Sequence, residues 1–276
     1  MNGQLWAIAD AFLPLPKIGD LAALAPKKPK PNRVPVETPN GIAVVDIKGV
    51  LTRDGSDWFS GSSYRDITEA VNRLAADSSI RRIVLRIDSP GGTVRGVHEA
   101  ADAIYRHRSK ITAIIDGYGS SAAYWLASQA SMVYATRGSL IGSVGTRMSL
   151  IDSSELFKRI GLRVVSIATS DVKAAGEPGT EITPKQESYF ASLTAATHFD
   201  FTTDIVRGRG FKGEALGRVN DGRVHVARDA KALGLIDGIQ SFDDFLASFG
   251  PIVSQADKLA AQHAAHIRIP LARGQY

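Results

Sequence analysis

Two turns in this sequence carry residue types suited to acyl transfer: Ser89-Pro90-Gly91-Gly92 and Asp116-Gly117-Tyr118-Gly119-Ser120-Ser121. A serine nucleophile needs a base to take its proton, donors for the oxyanion and a rigid seat. Ser121 falls where a strand-like run gives way to a helix-like one. Backbone N–H groups there face outward with the positive end of the helix dipole. Ala122 and Ala123 leave room for a substrate. Gly91-Gly92 can present a backbone N–H that a side chain would shield. Each turn also has a plainer reading. Gly-Ser-Ser-Ala begins many tightly packed helices, and Pro-Gly-Gly ends many strands. His98 and His107 lie on a helical face after the Gly-Gly turn, which makes His98 a rival base, although a histidine on a helix face is more often structural. The six histidines and the acids show no zinc-type spacing, so neither a metal nor a cofactor is expected.

The surrounding elements alternate. Ile42 to Leu51 reads as a strand, and Ser63 to Asp77 has helical spacing through Ile67, Ala70, Val71 and Leu74. Arg82 to Asp88 reads as a strand broken at Ser89. Val94 to His107 is helical in period. Ile111 to Ile115 and Met132 to Ala135 read as strands around a helix from Ser120 to Ala130. Further on, a strand is expected over Arg163 to Ala168 and a helix over Pro184 to about Gly208, capped by Thr183 with Pro184 in its first turn. Gly213 to Gly234 reads as a strand-turn and a short helix. Such alternation predicts a parallel sheet covered by helices on both faces, with chemistry gathered at the carboxyl ends of the strands. Both turns follow such strands.

Composition narrows the class. Apolar residues at 44% and charged residues at 22% suit a folded globular chain. The absence of cysteine excludes thiolate catalysis and thiolate metal sites. Of the net charge of +5, Lys27, Lys28, Lys30 and Arg33 sit in a proline-rich stretch. No aromatic residue is interleaved there to stack on bases, so a solvated linker is expected and nucleic acid is not. The apolar window from Ile111 to Ala135 is interrupted by Asp116 and falls short of the ~18 residues of a membrane span. Residues 1–25, read as an amphipathic segment with loops, lack a basic start and carry Asp10 and Asp20, a poor secretory signal. A soluble cytoplasmic protein is the expectation. The expected domains are that segment, the linker 26–40, a domain over 41–250, and a tail over 251–276 with an Ala-rich helix.

The ordered set of motifs resembles the signal peptide peptidase A family of serine peptidases. Asp88-Ser89-Pro90-Gly91-Gly92-Thr93 is similar to that family's Ser-Pro-Gly-Gly turn. Ser120-Ser121-Ala122-Ala123-Tyr124-Trp125 is similar to its nucleophile motif, Ser120 taking the place of an alanine. Leu140-Ile141-Gly142-Ser143-Val144-Gly145 resembles its Thr-Gly-Ser-Ile-Gly. Lys173 falls where the family has its catalytic lysine, and Asp221 to Gly238 resembles a late Gly-Arg…Leu-Gly-Leu-Ile-Asp segment. The resemblance spans about residues 42–245. It implies Ser121 as nucleophile, Lys173 as general base, Ser143 and Gly91 in support, and the N–H groups of Gly92 and Ala122 as the oxyanion hole. A neutral lysine is required, and burial beside Val172, Ala174 and Ala175 would favour one. It also implies an α/β fold, the Clp protease/crotonase-like spiral of βαβ units, and a homo-oligomer. Tyr189, Phe190, Leu193, Phe199 and Phe201 are a candidate assembly surface. Lys173-Ala174-Ala175-Gly176 departs from the Lys-Asp-x-Gly of many cellular members, and no N-terminal anchor is expected. Both departures, with the opening Leu5-Trp6-Ala7-Ile8, resemble the tailed-phage branch. That branch acts on scaffold and capsid or portal proteins, and the short tail implies a separately encoded scaffold. Host-type disposal of membrane-derived peptides, a crotonase-type acyl-CoA enzyme and a catalytically silent assembly protein are the alternatives.

Overall fold

The computed structural model describes residues 6–8, 36–38, 41–55 and 60–249. The rest of the N-terminal segment and linker, and the expected helix in the tail, lie outside the described residues. Three β-branched runs form the centre of the sheet: β3 (Ile42–Leu51), β4 (Arg82–Thr93) and β5 (Ile111–Ser120). They lie parallel, Val44 opposite Val84 and Val84 opposite Thr112. β5 divides its outer edge between two strands. β6 (Met132–Ala135) pairs with Thr112–Ile115, and β7 (Leu140–Gly142) pairs with Tyr118–Ser120. Short strands complete a nine-stranded sheet among the described residues. They are β1 (Trp6–Ile8) along the end of β4, β2 (Val36–Thr38) on β3, β8 (Val224–Val226) on β7 and β9 (Gly238–Ile239) on β6.

Alternation along the central strands sends side chains to opposite faces. Ala43, Val45, Ile47, Ile83, Leu85, Ile87 and Ala113 join the main core beneath helices α1 (Tyr64–Ala76), α2 (Val97–Arg106) and α3 (Ala122–Ala127). Each large apolar side chain buried this way contributes about 1.5–3 kcal/mol. The opposite face carries a smaller cluster in which Ile42, Val84 and Ile114 meet Phe245 of the last described helix, Phe242–Ala247. This is the expected parallel-rich α/β architecture, in keeping with the Clp/crotonase-like spiral.

After β7 the chain forms α4 (Ser154–Arg159), a 3-10 turn over Asp171–Ala174, and the long α5 (Pro184–Arg209). The start of α5 follows from its sequence. Thr183 and Gln186 cap one another reciprocally, and Pro184 occupies the first turn. The short α6 (Gly213–Gly217) and α7 (Ala227–Ala232) flank β8.

Four sequence expectations change. The strand over Arg82 to Asp88 runs on through Ser-Pro-Gly-Gly to Thr93, because β3 supplies partners for Gly91 and Gly92. The helix expected from Ser120 begins at Ala122, since Ser120 still pairs in β5 with Gly142. Trp6–Ile8, expected within an amphipathic segment, is a strand. Arg163 to Ala168 forms no strand: it has β-like residues but no neighbouring strand to bond, and nearly all of it is exposed.

A mostly buried ion pair ties α5 to the sheet. Arg209, 8% exposed, meets Asp237 at 2.9 Å, and Asp237 also accepts from the Val133 N–H of β6. Burial pushes the Asp237 carboxyl up, but these donors more than offset it and hold it below the ordinary carboxylate range. Asp237→Ala is expected to cost about 3 kcal/mol in a urea melt at neutral pH, because it strands a buried guanidinium. The carboxylate's contribution is present above the ~3.9 of an unfolded aspartate and is lost as pH falls toward its folded value. The gap between wild type and variant should therefore narrow in acid.

Candidate active site

The backbone singles out two serines. Among the described residues, Ser121 and Ser143 alone combine a side chain with a positive φ, 56° and 51°. Such conformations cost an L-residue on the order of 1–3 kcal/mol and concentrate at functional sites. At Ser121 the strain has a local cause. β5 ends at Ser120 and α3 begins at Ala122, so a single residue makes the whole turn, with φ 56° and ψ −124°. The turn is fixed from both sides. The Ser121 N–H donates to the Gly142 carbonyl at 2.7 Å, and its carbonyl accepts from the Trp125 N–H at 2.9 Å. Ser120 pairs with Gly142 in the β5–β7 ladder, so Ser121 and Ser143 each sit one residue past the same rung. The Ser143 N–H donates to the Arg223 carbonyl at 2.7 Å, which anchors it to the start of β8.

The two adjacent serine hydroxyls differ. Ser120 Oγ donates to the Leu140 carbonyl, whereas Ser121 Oγ is buried and has no hydrogen-bond partner. A buried unpaired hydroxyl costs about 1–3 kcal/mol, so its retention at a strained turn is unusual for a purely structural serine. Behind it α3 is packed tightly. Trp125 is fully buried, stacks on Phe201 at 4.2 Å and donates its indole N–H to Asp204 at 2.7 Å. Phe201 is thereby core, not assembly surface as expected from its place on α5. His98 packs T-shaped against Trp125 and lies 4.0 Å from Asp204, so the structure engages the rival base with these two residues.

The Gly-Gly turn lies beside this seat. The β4–β5 register pairs Ser89 with Gly119, which sets Gly91 level with Ser121. Gly91 has φ 103°, a conformation only glycine adopts readily. A Cβ on Gly92 would collide with the Leu51 carbonyl oxygen of β3, so no side chain fits there. Ala122 heads α3, and its N–H is among the four without an intrahelical acceptor.

Sequence reasoning missed two contributors. Ser89 is fully buried; its hydroxyl donates to the Gly49 carbonyl at 2.6 Å and accepts from the Gly91 N–H at 3.1 Å, bracing the turn from inside. Its place in the Ser-Pro-Gly-Gly motif was the available signal. His225 of β8 stands opposite Ile141, against Gly142, with its buried Nε2 unpartnered. No spacing rule connects it to Ser143; only the antiparallel β7–β8 pair does.

Among the described residues no hydrogen bond or ion pair joins the Lys173 side chain to this cluster. Lys173 sits in the 3-10 turn with an exposed side chain, so the burial expected from its apolar neighbours is not found there. α5 shows where that turn hangs. Gln186 near its start donates to the Asp171 carbonyl at 2.6 Å, while Phe201 near its end meets Trp125. At 1.5 Å per residue these two contacts are about 22 Å apart along the helix axis. No three metal-ligating side chains converge among the described residues.

Residues 103–251 match peptidase family S49. The chain belongs to this family. It is 36% identical over 142 residues to the head-tail preconnector protein GP5 of Enterobacteria phage P21, covering 50% of this chain and 28% of that protein. The capsid assembly protease C of Escherichia phage lambda is 26% identical over 210 residues, 74% of this chain and 48% of the relative. A putative protease of Methanocaldococcus jannaschii is 27% identical over 175 residues, 63% of this chain and 56% of the relative. The S49 chain thus spans about half or less of the length of these relatives. Among the described residues no helix is long and apolar enough to cross a membrane.

Proposed function

We propose that this S49 chain is a serine endopeptidase with a Ser121/Lys173 dyad. The observation that carries the reading is the buried, unpartnered Ser121 hydroxyl on a strained strand-to-helix turn, with the Gly91-Gly92 backbone level with it. Ser121 Oγ attacks the scissile carbonyl carbon as its proton passes to neutral Lys173. The N–H groups of Gly92 and Ala122 stabilise the oxyanion. The lysine then returns the proton to the leaving amine, and water, deprotonated by the same lysine, releases the acyl group. Ser143 orients the amine.

The dyad is completed between copies of the chain. Lys173 is exposed beside a segment whose Ile151, Leu156, Ile160, Leu162, Val165 and Ile167 also face solvent. The same exposure extends to Phe199 on α5, whose buried apolar residues begin only at Phe201. An apolar surface of this extent marks an interface, and closing it would place the lysine in apolar surroundings.

For substrates we propose scaffold and capsid or portal proteins cleaved during phage head maturation, in the host cytoplasm or inside the prohead. Similarity to a preconnector protein and a capsid assembly protease supports this. Similarity to a cellular protease keeps a second reading, a host-type peptidase acting on membrane-derived peptides. Co-expression with the capsid, scaffold and portal proteins of its own genome, followed by mass spectrometry, separates the two. Wild type should yield discrete truncated products that Ser121→Ala does not. Intact head proteins together with an active enzyme would reject the phage role.

A further inference from the structure

The final residues of β4 have two backbone edges, and both are filled. β3 takes one, with Val50 opposite Gly91 and Leu51 opposite Gly92. The other belongs to β5 as far as Ser89 and Gly119, after which β5 turns away at Ser121. The vacated edge is taken by β1, running antiparallel with Ile8 opposite Gly91, Ala7 opposite Gly92 and Trp6 opposite Thr93. β1 therefore travels from Thr93 toward Gly91 and ends level with the serine. The acyl half of a peptide substrate entering along this edge would take that same path, arriving extended with its scissile carbonyl last, at Ser121 and the Gly92 N–H.

We propose that Trp6–Ile8 is a built-in, substrate-like occupant of the acyl-side peptide site. A protein substrate gains the Gly91–Thr93 edge only by displacing it. The inference rests on the Ser121 reading for its direction along β4, while the occupancy itself rests on strand pairing alone. The competition follows from the two-edge limit of a strand, because a third strand cannot bond to Gly91 and Gly92 while β1 and β3 both do. Being tethered, β1 competes at a high effective concentration, and the apparent affinity for any incoming extended peptide falls by the fraction of chains in which the edge is open.

The test uses the full chain. A fluorescein-labelled peptide copying residues 4–10 is titrated into Ser121→Ala and into the same chain also carrying Ala7→Pro and Ile8→Pro. Consecutive N–H groups of a strand point to opposite sides, so one of the two prolines removes a donor to β4. The expected result is binding tighter by about tenfold or more in the proline variant. Equal affinity, or no binding to either chain, overturns the proposal. Hydrogen exchange on the unsubstituted chain needs no variant to fold. The amides of residues 6–8 that face β4 should be protected and should lose protection when the peptide is added in excess; unprotected amides in the free chain also overturn it. Fluorophosphonate labelling reports on the underlying reading separately. If Ser121 is never labelled in wild type or in Ala7→Pro/Ile8→Pro, the serine assignment fails while the binding competition still decides the occupancy.

Discussion

Ser121→Ala is expected to lower peptide hydrolysis by on the order of 10⁴-fold or more and to abolish fluorophosphonate labelling. Its side chain makes no hydrogen bond, so the hydroxyl's removal strands no partner, and the turn is held by backbone bonds to Gly142 and Trp125. The variant should therefore fold and assemble as wild type does and be at least as stable, because the unpaired buried hydroxyl is gone. Ser121→Gly separates strain from chemistry. Glycine accepts φ 56° without steric cost, so this variant should be more stable than Ser121→Ala by about 1 kcal/mol, and equally inactive. A denaturant melt beside the labelling assay gives both quantities. Labelling that persists in Ser121→Ala would move the nucleophile to Ser120. That residue starts at a disadvantage, because it lies within β5 with its hydroxyl bonded to Leu140.

Lys173→Ala is expected to reduce hydrolysis by a similar order, since Ser121 Oγ has no hydrogen-bond partner among the described residues that could take its proton instead. The exposed lysine bears little on the stability of the single chain, so the monomer's melt should shift by less than about 0.5 kcal/mol. The more telling result comes from mixing. Neither Ser121→Ala nor Lys173→Ala is active alone. Refolded together in equal amounts, they should recover about a quarter of wild-type activity, the fraction of interfaces that pair an intact serine with an intact lysine by chance in a symmetric assembly. A dyad closed within one chain would recover none. Recovery should track the oligomeric fraction on a sizing column and disappear on dilution below the assembly threshold.

Much of the architecture was legible from local patterns. Strand alternation at Ile42 to Leu51 and helical period at Ser63 to Asp77 report burial that each residue meets through its own neighbours. Thr183, Pro184 and Gln186 start α5 by interactions confined to four residues. Roles for the serines, the glycine pair and the lysine came from the resemblance of the ordered motifs to a family, since each motif alone also has a plain structural reading.

What the sequence could not determine depends on partners distant in the chain. Arg163 to Ala168 has strand-forming residues yet forms no strand, while Trp6–Ile8 forms one, because pairing energy belongs to two segments and not to one. The positive φ of Ser121 and Ser143 arises where β5 and β7 end on a common rung, a coincidence invisible in spacing. Lys173 is the clearest case. Its position 52 residues after Ser121 gives an order along the chain and no distance in space. The tertiary contacts hang its turn on Gln186 of α5 and leave its side chain exposed, which its apolar sequence neighbours do not foretell.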